Sequence, residues 1–189
     1  MKNLFLGLTA AALLAFTSCG SPSEPAANEE VATETLATDD HQTSVPQKQF
    51  NELFDQYKQV TTALSSDDST KASHAAAAVL EVILQNDLSQ LSEAEQKSME
   101  PMLESMRVRA EGINKANDIA EQRVHLEELS KNMYAMAKTF GTDHTVYKIY
   151  CSMYDNDRGA YWLSDSKEIK NPYFGASMFS CGEVQEELN

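Results

Sequence analysis

The sequence predicts an all-α fold, an antiparallel four-helix bundle with an ordered, mostly irregular C-terminal segment packed on it. Four stretches between residues 47 and 140 repeat apolar side chains every three or four positions, which is typical of amphipathic helices. The linkers between these stretches are short, which favours antiparallel neighbours. Residues 150–184 contain the only tryptophan and have no sustained helix or strand period, so they are expected to form an ordered irregular segment.

The first two helices are predicted from their apolar stripes. Residues 47–64 place large apolar side chains on one helical face. Residues 69–88 carry an alanine-rich face that suits close packing, and either Ser69 or Asp68 can cap the start of this helix. The two stripes consist of Phe50, Leu53, Phe54, Tyr57, Val60, Leu64, Ala72, Ala76, Val79 and Ile83.

The third and fourth helices also carry start and stop signals. Ser92 and Glu95 form a capping-box pattern, and Pro101 should kink or restart the helix that follows because it lacks an amide hydrogen. The fourth helix spans residues 118–140 and ends at Gly141. Methionine at this spacing is typical of a core, and the inner stripes are Met99, Met102, Met106, Ala110, Ile113, Leu126, Leu129, Met133, Met136 and Phe140.

The chain after the helices is predicted to be extended at first and irregular afterwards. Residues 145–150 alternate β-branched and aromatic side chains with others, which indicates one short extended segment. The segment that follows has a cysteine near each end, Cys151 and Cys181, and Trp162 between them. Trp162 is expected to pack this segment on the bundle, and glycines and Pro172 allow it to turn back so that the two cysteines approach each other.

The N-terminal region is predicted to be a targeting signal and a linker. A positive start and an apolar run at residues 4–16 indicate a lipoprotein signal peptide over residues 1–18, with Cys19 as the lipidated residue. The alternative is an ordinary secretory signal with a chance cysteine. Residues 19–46 read as a disordered acidic tether, and residues 47–189 as a single domain. This organisation predicts a membrane-anchored protein of the cell envelope, facing the periplasm or the cell exterior.

Charge and motif content limit the classes of function. The formal net charge of −14 disfavours binding to nucleic acid and to anionic lipid surfaces. The chain contains no P-loop, dinucleotide-binding or nucleophile-elbow fingerprint. A non-enzymatic, monomeric domain is therefore expected, and a hydrolase that uses Cys151 is the most remote of the alternatives.

Sulfur-bearing residues make the strongest candidate site. Copper(I) and silver(I) are soft ions that favour thiolate and thioether ligands, and Cys151, Met153, Met178 and Cys181 supply two of each. Residues two apart in an extended segment share a side, and residues three apart meet in a helical turn. A disulfide between the two cysteines, with the methionines as packing, remains the competing interpretation. A zinc site would need other ligands, such as His144 or Asp155.

Four spaced motifs extend this pattern: Cys151-x-Met153, Gly159-Ala160-x-Trp162-Leu163-Ser164, Ile169-x-Asn171-Pro172-Tyr173-x-Gly175 and Met178-x-x-Cys181-Gly182. They resemble the C-terminal signature of the bacterial domain of unknown function 3347. Asp118-Ile119, Gln122-Arg123, Leu129-Ser130 and Phe140-Gly141 resemble the last helix of that family, and the resemblance extends over residues 50–184. The family's Cys-x-Met segment commonly reads Cys-Pro-Met after a histidine, whereas Ser152 and Tyr150 stand at those positions here.

The resemblance implies a role in metal handling. Members of the family occur as small secreted or lipid-anchored proteins, and also fused to periplasmic adaptor subunits of Cus-type copper/silver efflux systems. The sequence therefore predicts a lipid-anchored envelope protein with a copper- or silver-binding domain that is accessory to efflux or buffering, with efflux components as partners. The alternative is a structural or protein-interaction module that has a Cys151–Cys181 disulfide and no metal.

Overall fold

The computed structural model describes residues 43–189, so the predicted signal peptide, Cys19 and residues 19–42 of the predicted tether lie outside the described residues. Four long helices come first in the described chain, and three strands follow them. The helices are α1 (Val45–Ser65), α2 (Ser69–Gln85), α3 (Glu93–Lys115) and α4 (Ile119–Phe140). The strands are β1 (Val146–Cys151), β2 (Ala160–Ser164) and β3 (Glu183–Leu188).

The helices begin at residues whose side chains accept hydrogen bonds from exposed backbone amides. Ser92 and Glu95 form the capping box that the sequence predicts for α3. At α2 the cap is Asp68, whose carboxylate accepts from the Lys71 amide at 2.9 Å. A second capping box, at Ser44, starts α1 at Val45, so the first helix begins inside the predicted tether.

The four helices form the predicted bundle, in which each helix packs on the next and α1 also packs on α4. Pro101 lies inside α3 without ending it, so the expected restart of this helix does not occur. The methionine stripes lie in the core, as predicted, and Met99, Met106, Met133 and Met136 are fully buried. Within residues 43–189, no helix is both long enough and apolar enough to cross a membrane.

The all-α prediction is only partly right, because the C-terminal part contains a three-stranded antiparallel sheet of order β2-β1-β3. The extended segment predicted at residues 145–150 is confirmed as β1. The sequence of β2 does not alternate between apolar and polar residues, because the neighbouring residues Trp162 and Leu163 are both buried. Strand β3 is mostly exposed and rich in glutamate, a residue depleted from strands. Its outer edge pairs with no other strand of the described chain.

Two buried tyrosine hydroxyls form hydrogen bonds with the backbone at the outer edge of β2. The Leu163 amide donates to the Tyr57 hydroxyl of α1 at 3.1 Å, and the Tyr173 hydroxyl donates to the Tyr161 carbonyl at 2.7 Å. Ser130 of α4 lies between the two rings, with its hydroxyl 2.7 Å from that of Tyr57 and 3.5 Å from that of Tyr173. Burial raises the pKa of both tyrosines, so both hydroxyls keep their protons at neutral pH. This cluster fixes the sheet to the bundle.

Replacement of Tyr57 with phenylalanine tests this attachment. The change keeps the ring but leaves the buried Leu163 amide without its acceptor, which is expected to lower the free energy of unfolding by about 1–3 kcal/mol. Urea denaturation followed by far-ultraviolet circular dichroism measures the effect. Tyr147→Phe is the control, because the Tyr147 hydroxyl makes no hydrogen bond within the described residues, and it is expected to change stability little. Equal stability of the two variants would contradict the proposed role of the hydroxyl cluster.

Candidate metal centre

The two cysteines of the C-terminal segment meet in the structure. Cys151 is the last residue of β1 and is fully buried, whereas Cys181 lies two residues before β3 and is partly exposed. The two thiols lie close enough to interact, and neither cysteine is part of a disulfide. The fold therefore brings together the cysteines that are furthest apart in the predicted site.

A buried asparagine holds the segment in its returning path. Asn171 is fully buried, and its side-chain amide donates to the Cys181 carbonyl at 2.8 Å. Its side-chain carbonyl accepts from the Tyr173 amide at 2.8 Å and from the Phe174 amide at 3.2 Å. The backbone amide of Asn171 donates to the Phe179 carbonyl at 2.8 Å. One side chain therefore fixes the turn at residues 171–175 against the chain that carries Cys181.

Glycine is required beside Cys181 because the chain passes close to a tryptophan ring. Gly182 has a φ of 147°, and a Cβ atom at this position would lie 2.8 Å from the ring of Trp162. Trp162 itself is almost fully buried and packs edge-to-face on Tyr173, with ring centroids 6.2 Å apart. Trp162 thus packs within the C-terminal segment, and its neighbours Tyr161 and Leu163 carry the hydrogen bonds of the β2 edge.

The backbones of both methionines of the predicted site, Met153 and Met178, lie next to Cys181. The Met153 amide lies close to the Cys181 sulfur, and the Cys181 amide donates to the Met178 carbonyl at 3.0 Å. The side chains of Met153 and Met178 are 48% and 39% exposed, respectively. The structure therefore places both thioether side chains at the surface on segments that contact the buried thiol pair.

The environment of the thiol pair favours protonated sulfur. Burial raises the pKa of Cys181 to about 11, and the hydrogen bond to the Cys151 thiol acts in the same direction. The Met153 amide acts in the opposite direction, since a donor to the sulfur stabilises thiolate. A soft metal ion that bound here would have to displace protons from the sulfurs.

The other residues considered as metal ligands are engaged elsewhere. His144 pairs with Asp143, with 2.5 Å between Nδ1 and the carboxylate, and its ring packs against Phe54. Asp155 forms an ion pair with Arg158 at 2.5 Å. Across residues 43–189, no three His, Cys, Asp or Glu side chains are grouped so that they could hold an ion. The Cys151–Cys181 pair fits a soft ion with thioether, backbone or external ligands, and it does not fit a conventional zinc site.

Arg123 attaches the turn at residues 172–176 to the helices through hydrogen bonds and an ion pair, which we call the Asp67 clamp. The sequence alone did not indicate this role. Arg123 of α4 donates to the Pro172 carbonyl at 2.9 Å and to the Asp67 carboxylate at 2.7 Å. Asp67, in the α1–α2 turn, also accepts from the Ala176 amide at 2.9 Å. A Cβ atom on Gly175 would lie 2.2 Å from the Asp67 carboxylate and would displace it, and the φ of 56° at Gly175 also favours glycine. The contacts of Asp67 join residues more than fifty positions apart, so no local sequence pattern predicts them.

Acid should weaken this clamp. The Ala176 amide and then Arg123 hold the pKa of Asp67 below its ordinary value of 3.8, so the folded state binds this proton less readily than the unfolded chain does. The stabilisation is therefore complete above about pH 4 and is lost as the pH falls through the folded-state pKa. Asp67→Asn is expected to be less stable than the parent at about pH 7 and to approach it at about pH 3, as measured by urea midpoints.

Asp157→Asn is the matched control for the Asp67 clamp. Asp157 also has a left-handed backbone, with a φ of 65° against 55° at Asp67, but its carboxylate makes no hydrogen bond or ion pair within the described residues. This variant is expected to track the parent at both pH values. A stability difference between parent and Asp67→Asn that stayed constant with pH would contradict the assigned role of the carboxylate.

Residues 53–145 match the model of the family described as "Protein of unknown function (DUF3347)". The resemblance predicted from the sequence is thus confirmed over a range that runs from within α1 to the residue before β1. The matched range includes Tyr57, Asp67 and Arg123, and it ends before Cys151 and Asn171. No curated protein and no solved structure matches the chain.

Proposed function

We propose that this chain, similar over residues 53–145 to the family of unknown function DUF3347, binds copper(I) or silver(I) at its C-terminal thiol pair. The observation that carries the proposal is the contact between the Cys151 and Cys181 thiols at the two ends of one segment. Two thiolates are favoured ligands for a soft monovalent ion, and binding would release their protons. The chain is proposed to bind the ion and not to catalyse a reaction.

Met153 and Met178 are proposed as additional ligands. Their backbones contact Cys181, so a rotation about side-chain bonds can bring either thioether toward an ion held by the thiols. The half-exposed positions of both side chains support this role, because the thioethers can reach an ion arriving from solvent before the buried thiol does. The formal net charge of −14 favours the approach of cations.

The cellular role proposed for this site is buffering of a soft metal or assistance to its efflux. Acylation of Cys19 would anchor the chain to a membrane of the cell envelope, with residues 20–42 between the anchor and the domain. Efflux-system components are the partners that the family resemblance implies.

A structural module is the second candidate. The thiol contact that favours a metal site also favours a disulfide, since both require the two sulfurs to be adjacent. The two functions differ in their use of methionine, because a disulfide needs no thioether. The methionine side chains therefore discriminate between the candidates.

Replacement of both methionines with leucine tests the metal site. Met153→Leu/Met178→Leu roughly conserves volume at exposed positions and leaves the thiols in place, so the fold is expected to be retained. The reduced parent should bind copper(I) in competition with a chromogenic chelator, and the double variant should bind it about tenfold or more weakly. Cys151→Ala/Cys181→Ala is expected to abolish binding.

Met102→Leu is the control, because Met102 lies on α3 and is partly buried against the core of the bundle. It is expected to bind copper(I) as the parent does. Equal binding by the parent and the Met153/Met178 double variant would remove the thioethers from the site. Absence of copper(I) binding by the reduced parent would overturn the proposed function and leave the structural module.

The proposed anchor is tested separately. Cys19→Ala removes the thiol to which the acyl chains would be attached, so the variant is expected to be unprocessed or to be released from the membrane fraction. Membrane fractionation and metabolic labelling with a fatty acid measure the two outcomes. If the variant stays with the membranes as the parent does, Cys19 is not the anchor.

A further inference from the structure

We propose that the Cys151–Cys181 pair is a reversible redox site at which a small-molecule disulfide oxidises the two thiols and thereby closes the metal site. The proposed oxidation depends only on the geometry of the two cysteines. Only its consequence for metal binding rests on the proposed function.

The geometry of the pair suits disulfide formation without a large rearrangement. Strand β3 pairs with β1 so that Glu183 lies opposite Tyr150, which brings the chain at Cys181 alongside the end of β1 at Cys151. The two thiols lie close enough to interact, so the sulfurs need to move toward each other by little. Cys151 is fixed by β1, where it pairs with Ala160 of the neighbouring strand. The Cys181 backbone is fixed by Asn171 on its carbonyl and by Met178 on its amide. Both partners are therefore held in position before any oxidant arrives.

The two thiols differ in access, which assigns each a role. Cys181 is partly exposed, so an external disulfide can reach its sulfur. Cys151 is fully buried and is in contact with Cys181, so it can react with that sulfur but not with a molecule in solution. Cys181 is the entry thiol and Cys151 is the resolving thiol.

The reaction follows from ordinary thiol–disulfide exchange. Cys181 first loses its proton to solvent, and its thiolate is a minor species at neutral pH because burial favours the protonated thiol. This thiolate attacks one sulfur of oxidised glutathione, and one glutathione thiolate leaves, so that a mixed disulfide forms on Cys181. The Cys151 thiolate then attacks the Cys181 sulfur and expels the second glutathione. In sum the two protein thiols lose two electrons and two protons, and the glutathione disulfide gains them to become two thiols.

Oxidation should remove the metal site because a disulfide offers no thiolate to the ion. Only the thioethers of Met153 and Met178 would remain, and both are on the surface. An ion held by both sulfurs should in turn block the attack on the external disulfide. Oxidation and metal occupancy therefore exclude each other, and the redox state of the pair sets the affinity for the ion.

The experiment uses the full chain with Cys19→Ala, in which the pair provides the only thiols. The reduced protein is mixed with oxidised glutathione without oxygen, and intact mass is followed with time. The expected product is the internal disulfide without a glutathione adduct, reversed by dithiothreitol. Cys151→Ala should accumulate the glutathione adduct, and Cys181→Ala should react about tenfold or more slowly than Cys151→Ala, because its remaining thiol is buried.

Ser152→Ala is the matched control, since it changes an exposed residue next to Cys151 and keeps both thiols, and it should react as the parent does. Thermal melts of all variants show whether each is folded. Equal reaction rates for the two cysteine variants, or a stable adduct on the parent, would overturn the assignment of entry and resolving thiols. Because the parent and Ser152→Ala retain both cysteines, the second result is decisive even if an alanine variant does not fold.

Silver(I) titration of the reduced and oxidised protein separates this inference from the proposed function. Oxidation is expected to weaken silver(I) binding about 100-fold or more, and bound silver(I) to prevent reaction with glutathione disulfide. Equal binding by both forms would overturn the gating and leave the metal site standing. A reversible internal disulfide in a protein that binds no silver(I) in either form would support the redox site and overturn the proposed function.

Discussion

The hydroxyl cluster of Tyr57, Ser130 and Tyr173 is the interaction on which the C-terminal half of the domain depends. A strand at the edge of a sheet cannot be buried against helices unless its outward amides and carbonyls find partners. Tyr57 accepts from the Leu163 amide and Tyr173 donates to the Tyr161 carbonyl, so one amide and one carbonyl of the outer edge of β2 find partners without another strand. With β2 fixed on the bundle, β1 is fixed beside it, and the position of Cys151 follows. The thiol pair is thus supported by polar contacts made at the outer edge of the neighbouring strand β2.

The residues that hold the segment and the residues proposed to act lie in different parts of the chain. Tyr57, Asp67, Arg123 and Ser130 belong to the helical region matched by the family model, and they contact the segment from the outside. Asn171 belongs to the C-terminal segment itself and forms hydrogen bonds with its backbone. A bundle of this kind presents an ordered irregular segment on a rigid support, and the chemistry is determined by the segment's own side chains. Changes to the segment could alter the ligands while the attachment points stay the same.

The helices were predictable because helical periodicity and capping are local. Ser92, Asp68 and Gly141 mark helix ends by contacts within a few residues, and the methionine stripes identify the core face. The sheet was not predictable from pattern, because β2 is buried on both faces and β3 is acidic and exposed. The approach of Cys151 to Cys181 was inferred from glycines and Pro172, which permit a turn. The roles of Asn171, Arg123 and Asp67 escaped prediction, since each depends on contacts with residues distant in sequence or on a local turn without a period.

Strand β3 has a consequence for how copies of this molecule meet one another. Within residues 43–189 no strand pairs with its outer edge, and an open strand of this kind is a template on which a second chain can extend the sheet. Its sequence places Glu183, Glu186 and Glu187 along that strand, and a register shift opposite Lys148 and Ile149 bends the ladder. Lys138 neutralises Glu186 and Lys167 neutralises Glu187, so Glu183 is the one glutamate of β3 without an ion pair within residues 43–189. Two copies meeting edge to edge would bring their Glu183 carboxylates to a bent pairing surface. The bent ladder and the charged side chains that keep β3 from reading as a strand therefore also disfavour extension of the sheet by a second copy.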